Sequence, residues 1–168
     1  MSIVPVIQKT PKLSASDVAK YFIWKSSQDK RPITNKKLQK LVYYSQAWYL
    51  VSTNGEERLF PEKIEAWVHG PVVPSLYSQY KQYGFGPIDP KLGSEKSVKG
   101  NKRTLLDEIW EKYGKLDADT LEVLAHSETP WIEARKNLDT DDFGDTEIDD
   151  SLITSYYSSL KGKHSKKQ

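Results

Sequence analysis

The chain has 168 residues, 29% charged and 37% apolar, with 25 Lys and Arg against 23 Asp and Glu and no cysteine. This length and composition are typical of one soluble globular domain. The absence of cysteine excludes a disulfide scaffold, a thiol nucleophile and thiolate-ligated zinc. No stretch reaches the roughly 18 apolar residues of a membrane span, and residues 1–12 lack the apolar core of a signal peptide. We therefore expect a cytoplasmic protein without a membrane partner.

The net charge of +2 conceals three charged blocks. Residues 9–40 hold nine Lys or Arg against two Asp, residues 139–150 hold seven acids and no base, and the last eight residues hold four lysines. Such blocks are usually solvated faces, and an oppositely charged partner is the alternative.

Two helices with capping signals are predicted in the first third of the chain. Ser14 followed by Asp17 resembles a capping box, and the helix behind it should end near Gln28. Thr34 is an N-cap candidate for a second helix, which is apolar on nearly every side and should be the buried central helix. Asn54-Gly55 is the predicted end of this helix.

A strand, a loop and further helices follow. Alternating residues over 63–69 predict a short strand ended by Gly70-Pro71. Pro74 suits the first turn of a helix closed by Gly84. The polar stretch 88–100, broken by one proline and two glycines, predicts a mobile loop or a loose hairpin. Further helices are predicted behind Asn101, over 117–127, from an N-cap at Thr129, and over 152–160.

These elements predict a mainly α protein, a compact single-domain helical bundle of six to seven helices with one or two short β-strands. We expect one domain over residues 14–160 and flexible tails at 1–13 and 161–168.

Motif searches return no catalytic residues. The chain has no Gly-x-Ser-x-Gly nucleophile elbow, and Gly84-Phe85-Gly86 lacks the third glycine of a dinucleotide loop and precedes a proline. His69 and His126 are isolated, and rings that hydrogen-bond a backbone carbonyl are favoured over a metal pair. We expect no enzymatic activity and no cofactor.

The acidic run from Asp139 to Asp150 has the length and the sixth-position glycine, Gly144, of a calcium loop. Phe143 stands where the fifth-position oxygen is required, and Asp150 replaces the bidentate glutamate. An acidic loop between helices is the favoured interpretation, and we expect no metal site.

Three lysines conflict with helix stability. Lys36, Lys37 and Lys40 lie in the first turns of the central helix, where exposed cations oppose the macrodipole at about 0.3–1 kcal/mol each. An acidic protein or a nucleic-acid backbone would benefit from this cluster, and ordinary solubility is the alternative.

Two stretches resemble the Panacea domain, also called the SocA-like antitoxin domain and formerly an uncharacterised phage-associated domain. The first runs through residues 38–50 and 59–77, and its most specific part is Glu65-Ala66-Trp67 leading to His69-Gly70-Pro71-Val72. In the second, residues 124–135, Thr129-Pro130-Trp131 opens a helix. The resemblance covers roughly residues 15–138.

The resemblance implies an antitoxin of a bacterial or prophage type II toxin–antitoxin system that neutralises a cognate protein toxin by direct contact. Two alternatives stay open: an adaptor that delivers a toxin to a AAA+ protease, and a DNA-binding autoregulator of its operon. The second is less favoured, because no recognition helix stands out and the pI of about 8.5 is not strongly basic. The oligomeric state is left open.

Two sets of residues follow from this interpretation. The signature core is expected to contain Trp48, Trp67, Gly70 and Trp131. The partner-binding surface, where a Gly-Pro bend and tyrosines should be exposed together, is expected to contain Lys36, Lys37, Lys40, His69, Pro71, Tyr77, Tyr80 and Tyr83.

Overall fold

A computed structural model describes residues 12–165. Within this range lie a β-hairpin, three short 3₁₀ helices and seven α-helices, which confirms the predicted mainly α bundle. The hairpin pairs β1 (Glu65–Trp67) with antiparallel β2 (Gly70–Val72). The helices are α1 (Ala15–Gln28), α2 (Asn35–Ser52), α3 (Pro74–Tyr80), α4 (Gly100–Tyr113), α5 (Ala118–His126), α6 (Thr129–Ala134) and α7 (Asp150–Ser165).

The predicted caps of α1 and α2 are confirmed. Ser14 Oγ accepts a hydrogen bond from Asp17 N, and the Asp17 carboxylate accepts one from Ser14 N, which completes a capping box. Thr34 Oγ1 accepts from the backbone N–H of Lys37. The chain leaves α2 through Asn54 and Gly55, both at positive φ.

Helix α2 is the central element, as its pattern predicts. It packs against α1, α4, α5 and α7 and against the hairpin, and most of its residues are buried. A helix that is surrounded in this way must satisfy its polar side chains internally, and α2 places several of them beneath the hairpin.

The predicted loose loop over residues 88–100 is wrong. This stretch forms 3₁₀ helices at Pro90–Leu92 and Glu95–Ser97 and packs along α1, with Ile88 and Val98 buried. Ser94 N donates to Lys20 O at 3.0 Å. The two buried apolar side chains anchor a stretch whose polar average suggested mobility.

The remaining boundaries differ from prediction by a few residues. The first strand is limited to β1, and Ala66 N donates to Thr146 O at 2.9 Å, so the acidic segment covers the edge of the hairpin. Glu128, not Thr129, is the N-cap of α6. Helix α7 continues to Ser165, and the rest of the predicted tails, 1–11 and 166–168, lies outside the described residues. No helix in residues 12–165 is long and apolar enough to cross a membrane.

Candidate functional site

An apolar groove of about 330 Å³ lies where α2 begins, beside the hairpin turn. Two phenylalanines with almost no packing of their own, Phe85 (97% exposed) and Phe143 (81% exposed), line it. We call this feature the Phe groove, and its lining residues are Asn35, Lys36, Gln39, Lys40, Trp67, Val68, His69, Val72, Tyr77, Lys81, Gly84, Phe85, Phe143 and Gly144.

Buried amides of α2 hold two walls of the Phe groove. Gln39 Oε1 accepts from the N–H of Val73 at 3.0 Å, and Asn35 Nδ2 donates to the carbonyl of Tyr77 at 3.2 Å. Gln39 Nε2 in turn donates to Asn35 Oδ1 at 2.9 Å. The N-cap residue of α3 and the helix itself are therefore fixed to α2 by a connected hydrogen-bond network.

Arg135 fixes the wall that carries Phe143. Its side chain is buried and donates to the carbonyls of Ala66 and Asp139, at 3.1 and 3.3 Å, and to that of Asp142. The guanidinium thus ties the acidic loop to the hairpin, and Phe143 projects from the loop next to this attachment.

Lys40 forms the floor of the Phe groove. Only 1% of the residue is exposed, and its Nζ donates to the carbonyl of Pro71 at 3.2 Å. Burial lowers the pKa of Lys40 to about 7, an effect that the nearby Glu122 carboxylate only partly opposes. Gly70 lies against this side chain at φ +113, and a Cβ there would collide with Lys40 Cε, so glycine is required.

Glu122 of α5 connects the groove to the hairpin turn. Its two oxygens lie 2.6 Å from Lys36 Nζ and 2.6 Å from His69 Nδ1. Burial alone would raise the pKa of Glu122, but the hydrogen bonds from Lys36 and His69 lower it. His69 therefore bonds a carboxylate and not the predicted backbone carbonyl, and its ring is 75% exposed.

His126 lies beneath this turn. Its ring stacks on Trp131 at 4.0 Å, and burial lowers the pKa of the imidazole. His126 Nε2 has no hydrogen-bond partner among the described residues. The described part of the chain contains no group of three His, Cys, Asp or Glu that could hold a metal ion.

The three lysines that oppose the α2 macrodipole have partners inside the protein. Lys36 pairs with Asp119 and Glu122, and Lys40 is held as described above. Lys37 is buried, donates to the carbonyl of Gly114 at the end of α4, and lies over the Trp110 ring. Each of the three lysines therefore has a partner inside the protein, but only Lys36 is paired with carboxylates.

The structure corrects the expected exposure of half of the predicted contact residues. Lys37, Lys40, Pro71 and Tyr80 are buried. Tyr77 is partly exposed and meets Trp67 edge-on, with 5.0 Å between ring centroids.

The other contact residues keep an accessible side chain, and three of them lie together. Lys36, His69 and Tyr77 line the Phe groove. Tyr83 is half-buried and does not line it.

The signature tryptophans occupy three environments. Trp131 is buried and its Nε1 donates to the carbonyl of Trp67 at 2.7 Å. Trp48 is half-buried against the core, with its Nε1 bonded to the Tyr113 hydroxyl at 2.9 Å. Trp67, expected in the core, is half-buried and lines the Phe groove, while Gly70 is buried as expected.

Sequence reasoning missed four residues of the site: Phe85, Phe143, Glu122 and Arg135. A phenylalanine between two turn-forming glycines was a usable signal for exposure of Phe85. A second signal was an aromatic residue inside an acidic run, which was considered at Phe143 only as a defect in a calcium loop. The roles of Glu122 and Arg135 depend on partners far along the chain, so no local pattern reveals them.

A second polar cluster is enclosed in the core behind Lys112. Glu128 is buried and accepts hydrogen bonds from the hydroxyls of Tyr44 and Tyr157, at 2.6 and 3.0 Å. Burial raises the pKa of Glu128, and the two hydroxyls and Lys112 oppose that rise. Its place in the core, among stacked tyrosines, indicates a structural role.

Comparison with known proteins identifies the family of this chain. No curated protein and no solved structure matches the chain. The family model described as "Antitoxin SocA-like, Panacea domain" matches residues 38–132. This match contains most of α2, the hairpin and α3, which supply much of the lining of the Phe groove, and it covers more than half of the 168 residues. The chain belongs to the SocA-like antitoxin family of Panacea domains.

Proposed function

We propose that this chain is an antitoxin that neutralises a cognate protein toxin by binding it directly, without catalysis, and that the Phe groove is the contact surface. The observation that carries the proposal is the pair Phe85 and Phe143, which expose nearly whole aromatic rings beside one apolar groove. Aromatic residues are enriched at protein interfaces, where burial of one such ring contributes about 1.5–3 kcal/mol.

Construction of the groove supports this assignment. Its walls are held by Gln39, Asn35 and Arg135, so the surface is formed before a partner arrives. A preformed site loses little conformational entropy on binding. The exposed rings contribute little to the stability of the fold, and a partner that covers them explains why two phenylalanines lie at the surface.

The test is co-expression in cells with the product of the neighbouring reading frame. Growth arrest by that product alone, relieved by this chain, is the expected result. The double variant F85A/F143A should fail to relieve arrest at equal protein level. The matched control V123A removes an exposed apolar side chain from α5, away from the groove lining, and should protect fully. Full protection by F85A/F143A would refute the groove as the contact surface.

The DNA-binding alternative loses much of its support. Contacts to phosphates need accessible cations, whereas Lys37 and Lys40 are buried and Lys36 is paired with two acids. Lys30 and Arg31 are the exposed cations that stay next to the start of α2. A gel shift with the DNA upstream of its own gene should show no complex at low salt.

The adaptor alternative predicts a different cellular outcome. If the chain delivered its toxin to a AAA+ protease, the toxin would disappear when both proteins are expressed. Under direct neutralisation by sequestration, an immunoblot should show a constant toxin level together with restored growth.

A further inference from the structure

We propose that the Phe groove binds an aromatic side chain that stands next to a carboxylate on the partner, with the exposed Lys81 donating a hydrogen bond to that carboxylate and the buried charge of Lys40 attracting it from beneath. The identification of the partner as the toxin rests on the proposed function. The preference of the groove for an aromatic carboxylate is a property of this chain alone and can be measured without the toxin.

The charge of the lining supports an anionic ligand. Three lysines, Lys36, Lys40 and Lys81, line the groove, and none of the described residues in its lining is an Asp or Glu. The two carboxylates closest to Lys36 are already paired with it. Lys81 forms no ion pair within residues 12–165 and is exposed at the rim.

Lys40 supplies a positive charge beneath the floor. Its ammonium has three N–H donors, and the described residues provide one acceptor, the carbonyl of Pro71 at 3.2 Å. The nearest carboxylate, Glu122, has both oxygens engaged by Lys36 and His69. A buried cation without its own counter-ion is costly, and a carboxylate entering the groove would offset that cost. The lowered pKa of Lys40, about 7, agrees with this missing counter-ion.

The apolar walls suit one aromatic ring. Trp67, Val72, Tyr77, Phe85 and Phe143 surround the groove, and Trp67 and Tyr77 already meet edge to face. The groove volume of about 330 Å³ lies at the lower end of the range for ligand pockets, roughly 300–1,000 Å³. It therefore fits a side chain with its neighbouring groups better than a large cofactor.

The experiment compares N-acetyl-L-phenylalanine with N-acetyl-L-phenylalaninamide, which have the same ring and differ in the negative charge. The ¹⁵N-labelled full chain is titrated with each at about pH 6, one unit below the pKa of Lys40, so that this lysine is charged. We expect the carboxylate to bind at least about tenfold more tightly than the amide, with chemical-shift changes at residues 67–72 and 84–86.

Four variants test which residues cause the preference for the carboxylate over the amide. K81M and K40M should each reduce the advantage of the carboxylate over the amide. K81M alters an exposed side chain, so the test survives if K40M folds poorly. F85A/F143A should weaken both ligands, and V123A should leave both titrations unchanged.

Equal affinity for the carboxylate and the amide would overturn the inference, as would shift changes confined to residues outside the groove or no binding of either ligand. The two proposals fail separately. A chain that prefers the carboxylate but relieves no growth arrest contradicts the antitoxin assignment only. A chain that relieves arrest without this preference contradicts the present inference only.

Discussion

Replacing Lys40 with methionine should change how the free energy of unfolding depends on pH. In the unfolded chain the lysine keeps its proton up to about pH 10.5, whereas in the folded protein burial lowers its pKa to about 7. Between these values the unfolded state binds more protons, so stability rises as pH rises. The full difference, 10.5 − 7 units at about 1.36 kcal/mol each, is at most about 5 kcal/mol.

The assay is urea unfolding of wild type and K40M at about pH 6, 7.5 and 9, followed by tryptophan fluorescence. Wild type should gain about 2 kcal/mol relative to K40M between pH 7.5 and 9. Methionine cannot donate to the Pro71 carbonyl, which shifts the K40M curve by about 1–3 kcal/mol at every pH but leaves its slope unaffected. For the control K81M, at an exposed site, the free energy of unfolding should change with pH in parallel with that of wild type. If the free energy of unfolding of K40M also changed with pH in parallel with that of wild type, the lowered pKa of Lys40 in the folded protein would be refuted.

Three further substitutions test the other parts of the account. F85A removes a side chain that is 97% exposed, so the free energy of unfolding should change by less than about 0.5 kcal/mol; a larger loss in urea titration would mean that the ring packs in the fold. Y44F removes a hydroxyl that lowers the pKa of Glu128. It should destabilise by about 1–3 kcal/mol near pH 8 and by less as the pH falls and Glu128 takes up a proton; a loss that does not change with pH would contradict this. G70A should lower the free energy of unfolding by about 1–3 kcal/mol, because alanine is strained at φ +113 and its Cβ would collide with Lys40. The control G162A, on helix α7, should not lower it. Equal effects of the two substitutions would contradict the close approach of Gly70 to Lys40.

Local signals predicted most of the helix boundaries. Capping at Ser14 and Thr34 depends on side chains within three residues of the helix start, and the sequence shows them directly. The apolar pattern of α2 likewise identified the central helix. The stretch 88–100 was misjudged because two buried residues, Ile88 and Val98, determine its packing while its average composition is polar.

The candidate site was harder to predict, because it depends on contacts between distant segments. The lysines of α2 were interpreted as an exposed basic face, yet their partners include Gly114, Pro71 and Glu122, which lie 31 to 86 positions further along the chain. Lys40 lies against Gly70 of the hairpin, which is 30 positions further along the chain. The Phe groove combines α2, the hairpin and the acidic loop, and neither Phe85 nor Phe143 has a periodic pattern that reveals it.

The most direct test of the central claim is the affinity of the proposed toxin, the purified product of the neighbouring reading frame, for three forms of this chain. Calorimetry should give tight binding to wild type and to V123A. Loss of two interface phenylalanines at about 1.5 kcal/mol or more each should weaken binding to F85A/F143A by at least about 100-fold. An unchanged dissociation constant for F85A/F143A would contradict the assignment of the Phe groove as the toxin-binding surface.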